Sequence, residues 1–308
     1  MVVEWDHVNE VVWDNFHARY QGSLQQSWKY GQAFSSLGLT THRAVIYRPD
    51  GCFVGIAQFQ CRRFAGYLTI SSCCLGPVWC DEISITEKNL ALKKLKEEIP
   101  VKHLRVTLFS PDNIYEDFCP RIMSGFTKVM SGPSTSRLDL CANTENIRSN
   151  FSVKWRNRLV SAENQSNVVK FCNGINEIEW IITKELEQRI QSKFYGLPKE
   201  FIFSLLGSGD LNSPHFLLAI GYKSKIPIAG MLFLIYGHRS TYFIGWSDQE
   251  AKKMNLNNLV LWESVKELKR YGIKNLDLGG VNTESLPGIS RFKMGMNGQI
   301  ISHPGTFI

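Results

Sequence analysis

From Ile226 to Tyr236 apolar side chains fall on both faces of the chain, the pattern of a strand covered on two sides of a sheet. A turn at Gly237 leads to a second apolar run, Tyr242 to Trp246. Between Asn255 and Tyr271, Leu256, Leu259, Val260, Trp262, Val265 and Leu268 recur near helical spacing among Lys266, Glu267, Lys269 and Arg270, which predicts an amphipathic helix. Gly272 supplies its C-terminal stop, and Ile273 to Leu278 reads as a further strand that carries Asp277 at its end, where sites collect. A polar loop then delivers Lys293.

The N-terminal half has the same grammar. Glu10 to Phe16 is a mixed stretch, Leu24 to Phe34 predicts a helix that stops near Leu37 and Gly38, and His42 to Arg48 and Cys52 to Gln60 predict two strands joined by the turn Pro49-Asp50-Gly51. Tyr67 to Trp79 is extended apart from Gly76-Pro77, Thr86 to Glu98 is helical, and His103 to Ser110 is a strand. Roughly 175 residues later the order recurs. The strand 216–222 answers 42–48, Ile228 to Phe233 answers Phe53 to Gln58, 255–278 answers 86–109, and Pro198 to Leu206 stands for the Trp28 helix. Ala44/Ala219 and Gly55/Gly230 are the main shared letters, so the repeat lies in the order of elements. The expected fold is α/β (α+β): two domains, each a mixed sheet flanked by helices, with a cleft between them.

Length and a 44% hydrophobic content allow two full cores. The polar stretch 141–146 divides the chain into domains 1–145 and 146–308, with the C-terminal end free to pack back on the first. A formal net charge of +7 suits a polyanionic partner. A basic segment carries Lys154, Arg156 and Arg158, with Arg148 upstream; as a helix, it offers either a solvated basic face or an RNA contact, with Trp155 either buried or a stacking surface. The eight cysteines form no C-x-x-C pair and read as free thiols, and no His/Cys set has metal-ligand spacing. The polar start MVVEWDHVNE is unlike a signal peptide and no apolar run spans a membrane, so the expected compartment is the cytoplasm.

Three segments resemble the FemABX-type aminoacyltransferases of peptidoglycan bridge synthesis, within the wider acetyltransferase-like (GNAT) superfamily: Leu24-Gln25-Gln26-Ser27-Trp28-Lys29-Tyr30-Gly31; Lys154-Trp155-Arg156-Asn157-Arg158-Leu159; and Leu276-Asp277-Leu278-Gly279-Gly280 through Gly288-Ile289 to Phe292-Lys293. The resemblance implies tandem acetyltransferase-like domains and transfer of an amino acid from aminoacyl-tRNA to an amine, such as a muropeptide precursor or a small metabolite, with no metal or organic cofactor. It implies catalysis at Lys293 beside Phe292, and substrate binding at Trp28, Lys29, Tyr30 and Gln32 of the first helix, at Trp246, and at Gly279 and Gly280. Lys154, Arg156 and Arg158 become the tRNA contacts. The long helical hairpin of some bridge enzymes does not fit in 176–208, which leaves the acceptor open.

Amine attack on an ester builds negative charge on the carbonyl oxygen, which a lysine in a dry cleft stabilises. Asp277 either takes a proton from the amine or holds the N–H groups of Gly279-Gly280; the structural role is the favoured one. No nucleophile sits in a Ser/His/Asp or Cys/His arrangement, so direct transfer is expected, from a monomer whose duplication supplies its own partner domain. An acyltransferase fed by acyl-CoA or acyl carrier protein is the alternative, disfavoured because Ser247 to Met254 lacks glycine at the helix start where a pyrophosphate would bind. A non-catalytic RNA-binding protein is the alternative of another class.

Overall fold

A computed structural model describes residues 1–102, 104–112, 118–192, 196–207, 215–281 and 287–308. In chain order the first elements are β1 (Val2–Trp5), α1 (Glu10–Arg19), α2 (Trp28–Ser36), β2 (Thr40–Tyr47), β3 (Phe53–Phe64), β4 (Leu68–Cys74), β5 (Val78–Trp79), α3 (Ile85–Glu98), β6 (Leu104–Ser110) and β7 (Lys128–Met130). There follow β8 (Ser134–Asp139), α4 (Thr144–Asn150), α5 (Val153–Glu163), β9 (Val168–Cys172), α6 (Ile175–Ser192), α7 (Lys199–Leu206), β10 (Phe216–Lys223), β11 (Ile226–Tyr236) and β12 (Arg239–Ser247). The chain closes with α8 (Gln249–Lys253), α9 (Leu256–Arg270), β13 (Asn275–Gly280), α10 (Pro287–Met294), β14 (Gln299–Ser302) and β15 (Thr306–Phe307). They form two compact units: Met1–Pro133 with Glu200–Leu205 and Ile301–Ile308, and Ser134–Lys199 with Leu206–Ile300. The polar stretch 141–146 therefore lies inside the second unit, since β8 before it is already a strand of the second sheet.

The first sheet runs β1-β2-β3-β4-β6-β15-β7, with β5 on β3. α3 starts with a capping box, Ser84 and Glu87 each bonding the other's backbone N–H, and buries Ala91, Leu92 and Leu95 as it crosses over to set β6 parallel to β4. That parallel pair is zipped along its whole length, from Leu68 opposite Leu104 to Cys74 opposite Ser110. Gln26, fully buried, donates from Nε2 to Cys74 O (2.9 Å) and Gln58 O (3.2 Å), while its Oε1 accepts from Gln58 N (2.7 Å). Gln58 in turn donates to Gln25 O and Ser27 O and accepts from Arg43 Nε (2.9 Å). The turn before α2 is thus stapled to β3 by side chains whose polar atoms are matched, the condition for burying them at little cost.

The second sheet runs β14-β8-β13-β12-β11-β10-β9. β11 is buried along most of its length, as its two-faced apolar pattern requires, and α9 buries Leu256, Leu259, Val260, Trp262, Val265 and Leu268 before the crossover to β13. Here the parallel pair is short. β12 and β13 pair only from Arg239 opposite Asn275 to Thr241 opposite Asp277, after which they part. The common core of the repeat is antiparallel β2-β3-β4 against β10-β11-β12, then a helical crossover to a parallel strand.

Several expectations need correction. Glu10 to Phe16 belongs to a full helix, α1, capped by Asn9 and burying Trp13, Phe16 and His17 at spacings of three and one. The Leu24–Phe34 helix is broken at Ser27, which takes extended backbone and uses its hydroxyl to cap Tyr30 N, leaving Leu24–Gln26 as a 3-10 turn. Pro198 to Leu206 does not play the part of the Trp28 helix in the second unit: residues 200–205 of α7 belong to the first, where Phe201 meets the Tyr30 ring edge-on at 5.2 Å. On the second sheet that face is taken by α6, whose Trp180 and Ile181 lie over Gly230. Lys293 arrives on a helix, α10, rather than on a loop; Pro287 fits at the start of α10, where a missing N–H is harmless. Residue 103, read as the start of a strand, and 282–286 of the loop before Lys293 lie outside the described residues.

Candidate active site in the second unit

Where β12 and β13 part, the next residue of β12 is Tyr242 and the next turn of β13 is Leu278-Gly279-Gly280. The pairing of β11 with β12 slips at this level: Phe233 faces Tyr242 and Leu232 faces Ile244, so Phe243 is an extra residue that bends the strand. The Tyr242 phenol lies back along β12 against Gly245, where a Cβ would stand 1.6 Å from its oxygen. Only glycine leaves that space. Burial pushes the phenol's pKa up, so Tyr242 is a neutral ring.

Into this opening comes Lys293. The ammonium donates to Gly280 O at 3.1 Å, lies 5.7 Å from the centre of the Tyr242 ring, and abuts Gly279, whose φ of +78° suits glycine. Lys293 is 8% exposed. Burial lowers its pKa from the ordinary lysine range, and the negative Asp277 holds part of that fall back. A protonated Nζ has three donors. Among the described residues one is committed, to Gly280, so the group is both buried and able to donate further.

Asp277 is spoken for. Its Oδ1 accepts from Gly279 N (2.7 Å) and from the Thr135 hydroxyl, and its Oδ2 lies 3.8 Å from Arg137 Nε. The carboxylate fixes the strand-end turn that presents Gly280 O to Lys293. Phe292 faces the other way. It packs against the second core, and its carbonyl accepts the Trp155 indole N–H at 3.1 Å. Trp155 is buried between Phe151 (4.6 Å) and Phe292 (6.1 Å), so the tryptophan of the basic segment anchors α10 and is no stacking surface.

The remaining predicted residues stand on other elements. Lys154 and Arg158 are exposed on one face of α5; Arg156 is half-buried and bonds Ser149 O. Trp246, near the end of β12, meets Trp180 edge-on at 5.4 Å, with Lys184 Nζ 5.7 Å from its ring. Trp28, Lys29, Tyr30 and Gln32 stand on α2 of the first unit. The Trp28 ring is covered by the Arg43 guanidinium at 3.7 Å, burial lowers the pKa of Lys29 against the pull of Glu10 and Asp14, burial raises that of Tyr30, and Gln32 is exposed. The site residues that sequence reasoning missed are Tyr242, Thr135 and Arg137. A glycine three residues after a tyrosine in an apolar strand is the available signal for the first; Thr135 and Arg137 are distant in sequence and gave none.

All eight cysteines are free, and among the described residues no group of three His, Cys, Asp or Glu side chains is arranged to hold a metal. Among them, too, no helix is long and apolar enough to cross a membrane.

Residues 218–308, which contain every part of this site except the β8 and α5 contributions, match the family model of the FemAB family. No curated protein matches the sequence. Among solved structures the chain is similar to the crystal structure of FemX, with a TM-score of 0.84 at 14% identity over 99% of this chain and 96% of that one. It is also similar to the C-terminal domain of a putative lysylphosphatidylglycerol synthetase from Agrobacterium fabrum, TM-score 0.59, 11% identity, 97% and 92% covered. A third is a tandem GNAT protein from the clavulanic acid biosynthesis pathway, TM-score 0.52, 7% identity, 99% and 98% covered. Residues 218–308 are thus FemAB-like in sequence, and the chain as a whole has the fold of FemX.

Proposed function

We propose that the protein is an acyltransferase of FemABX type that moves an aminoacyl group from the 3′ ester of an aminoacyl-tRNA to an amine, forming an amide in peptidoglycan-precursor or related small-molecule chemistry. The observation that carries this reading is the buried ammonium of Lys293, bonded to Gly280 O at the opening between β12 and β13, inside the segment that matches the FemAB family.

The chemistry follows from that group. The acceptor amine attacks the ester carbonyl, the C–N bond forms, and the carbonyl oxygen becomes an oxyanion. Lys293 Nζ, already desolvated, donates to that oxygen more strongly than to the neutral ester, which lowers the barrier. Collapse breaks the C–O bond to the 3′ oxygen, and the proton lost by the amine is delivered to that leaving oxygen. Asp277, through Gly279, keeps Gly280 O in place and so keeps Lys293 aimed. The ester is itself the activated donor, so this route calls for no metal and no organic cofactor. Lys154 and Arg158, exposed together on α5, supply the phosphate contacts expected of a tRNA site.

The acyl-CoA alternative fits less well. The segment Ser247 to Met254 lacks glycine, and the Asp248 carboxylate already caps α8 by accepting from Ala251 N, opposing a pyrophosphate there. The test is incubation with pooled labelled aminoacyl-tRNAs and a panel of amine acceptors. Consumption of one ester with appearance of an amide supports the reading. Consumption of acyl-CoA alone, or binding of charged and uncharged tRNA alike without any product, rejects it.

A further inference from the structure

The first unit holds a cleft of about 540 Å3 that shares no residue with the site above, between the second half of α3 and the first half of β6. Lys93, Lys96 and Glu97 line it from the helix, Arg105 and Thr107 from the strand, and Phe126 closes one side. The volume lies in the range of small-molecule sites. Ile308 lines it as well, and Lys93, Lys96 and Arg105 outnumber Glu97 and the main-chain end at Ile308, so the lining is net positive.

Its depth is graded. Lys93 is exposed at the mouth; Lys96 is half-buried, with its ammonium 5.3 Å from the centre of the Phe126 ring. Arg105, Thr107 and Phe109 alternate onto one face of β6, and Phe109 belongs to the core with Leu92 and Leu95. Thr107 therefore sits one step above the core. It is 2% exposed, and its hydroxyl has no hydrogen-bond partner among the described residues. A buried hydroxyl left unmatched is uncommon and calls for a partner from outside the chain. Arg105 is a fixed wall: its two terminal nitrogens donate to Glu97 O (2.6 Å) and Ile99 O (3.3 Å), offsetting the negative end of α3.

We propose that this cleft binds a small organic phosphate, with its phosphate at Lys93 and Lys96, its apolar body on Phe126 and an acceptor atom against the Thr107 hydroxyl. Two ammonium groups one helical turn apart make a pair of point charges that suits a phosphate dianion, and an aromatic wall beside them selects an organic ester over the free ion. Lys94, on the same helix, does not take part. Its ammonium donates to Met1 O and pairs with Glu98.

Titration of the full-length protein with phenyl phosphate, followed by calorimetry and by backbone amide shifts, tests this. Saturable binding is expected, tighter than for inorganic phosphate or phenol, with the shifts centred on Thr107 and Phe126. The double substitution Lys93→Ala/Lys96→Ala weakens it tenfold or more, and Lys94→Ala leaves it unchanged. Thr107→Val weakens it about fivefold and Thr107→Ser restores it, with melting curves of all variants checked against the parent. Lack of saturation, equal binding of inorganic phosphate, shifts centred on Tyr242 and Lys293, or the same loss in Lys94→Ala as in the double variant would overturn the proposal. None of these outcomes depends on whether the second unit transfers an aminoacyl group.

Discussion

The two parallel strand pairs, β4 with β6 and β12 with β13, are built by the same move, a helix crossing over an antiparallel sheet, and they end differently. In the first unit the pair stays zipped for all seven residues of β4, and its far end is sealed: Gln26 bonds Cys74 O, and Ser110 Oγ meets Thr306 Oγ1 of β15 at 2.8 Å. In the second unit the pair opens after three residues, and a lysine stands in the gap. Each unit also holds a cation whose pKa is lowered by burial, Arg43 half-buried and Lys293 buried. Arg43 is matched at Gln58 Oε1 and Trp28 O and stacks on Trp28, whereas among the described residues Lys293 meets one carbonyl and one ring. A matched cation braces a fold; an under-matched one is available to a substrate.

The contrast can be broken by substitution. Lys293→Met lowers transfer about a hundredfold or more, the scale of one lost oxyanion donor, and leaves the melting temperature equal or higher, read by single-turnover assay and calorimetry. Gln26→Leu does the reverse. It strands Gln58 N and Cys74 O, costs about 3 kcal/mol of stability, and leaves the transfer rate per folded molecule near that of the parent. If Gln26→Leu abolished chemistry in folded protein, the first unit would be more than a scaffold.

Finer changes sharpen the same point. Gly245→Ala drives a Cβ into the Tyr242 hydroxyl and moves the ring that faces Lys293; it lowers transfer about tenfold and stability by about 1–3 kcal/mol, and adding Tyr242→Phe recovers part of both. The pH profile carries the sign of the lysine's environment. Because burial lowers the Lys293 pKa, the ammonium form and the rate are lost as pH rises through a value below the ordinary lysine range, and Lys293→Arg removes that falling limb. Below its folded pKa the buried ammonium is a cost to stability, relieved as pH rises toward the unfolded value, so the stability difference between parent and Lys293→Met narrows on the alkaline side. The smallest effect is the paired change Lys154→Glu/Arg158→Glu, which weakens tRNA binding by about tenfold at low salt, flattens its salt dependence and leaves the melting curve unchanged.

The strands and crossover helices were legible because their burial is periodic: β11 is apolar on both faces, and α3 and α9 carry one apolar stripe each. What escaped was set by capping or by distant partners. α1 shows little apolar contrast because its buried face includes His17, which lies 2.8 Å by its Nε2 from Ser23 O. The break at Ser27 depends on a hydroxyl that can cap a helix or sit within one, and the difference is made by Gln26, whose partners come from β3 and β4. Pro287-Gly288 reads as loop and opens α10. Lys293 was singled out by family resemblance; its burial against Tyr242 and Gly280 needed the bend at Phe243 and the turn held by Asp277, neither of which leaves a periodic trace.

The proposed reaction belongs to the open strand pair of the second unit and not to the sealed pair of the first. The direct test is photolabelling with a stable 3′-aminoacylamino adenosine that carries a diazirine on its aminoacyl side chain, followed by peptide mapping. Label is expected on peptides containing Tyr242, Leu278 to Gly280 and Pro287 to Met294, reduced by competing aminoacyl-tRNA. Label confined to β4 and β6, or spread without competition over the surface, would contradict that expectation.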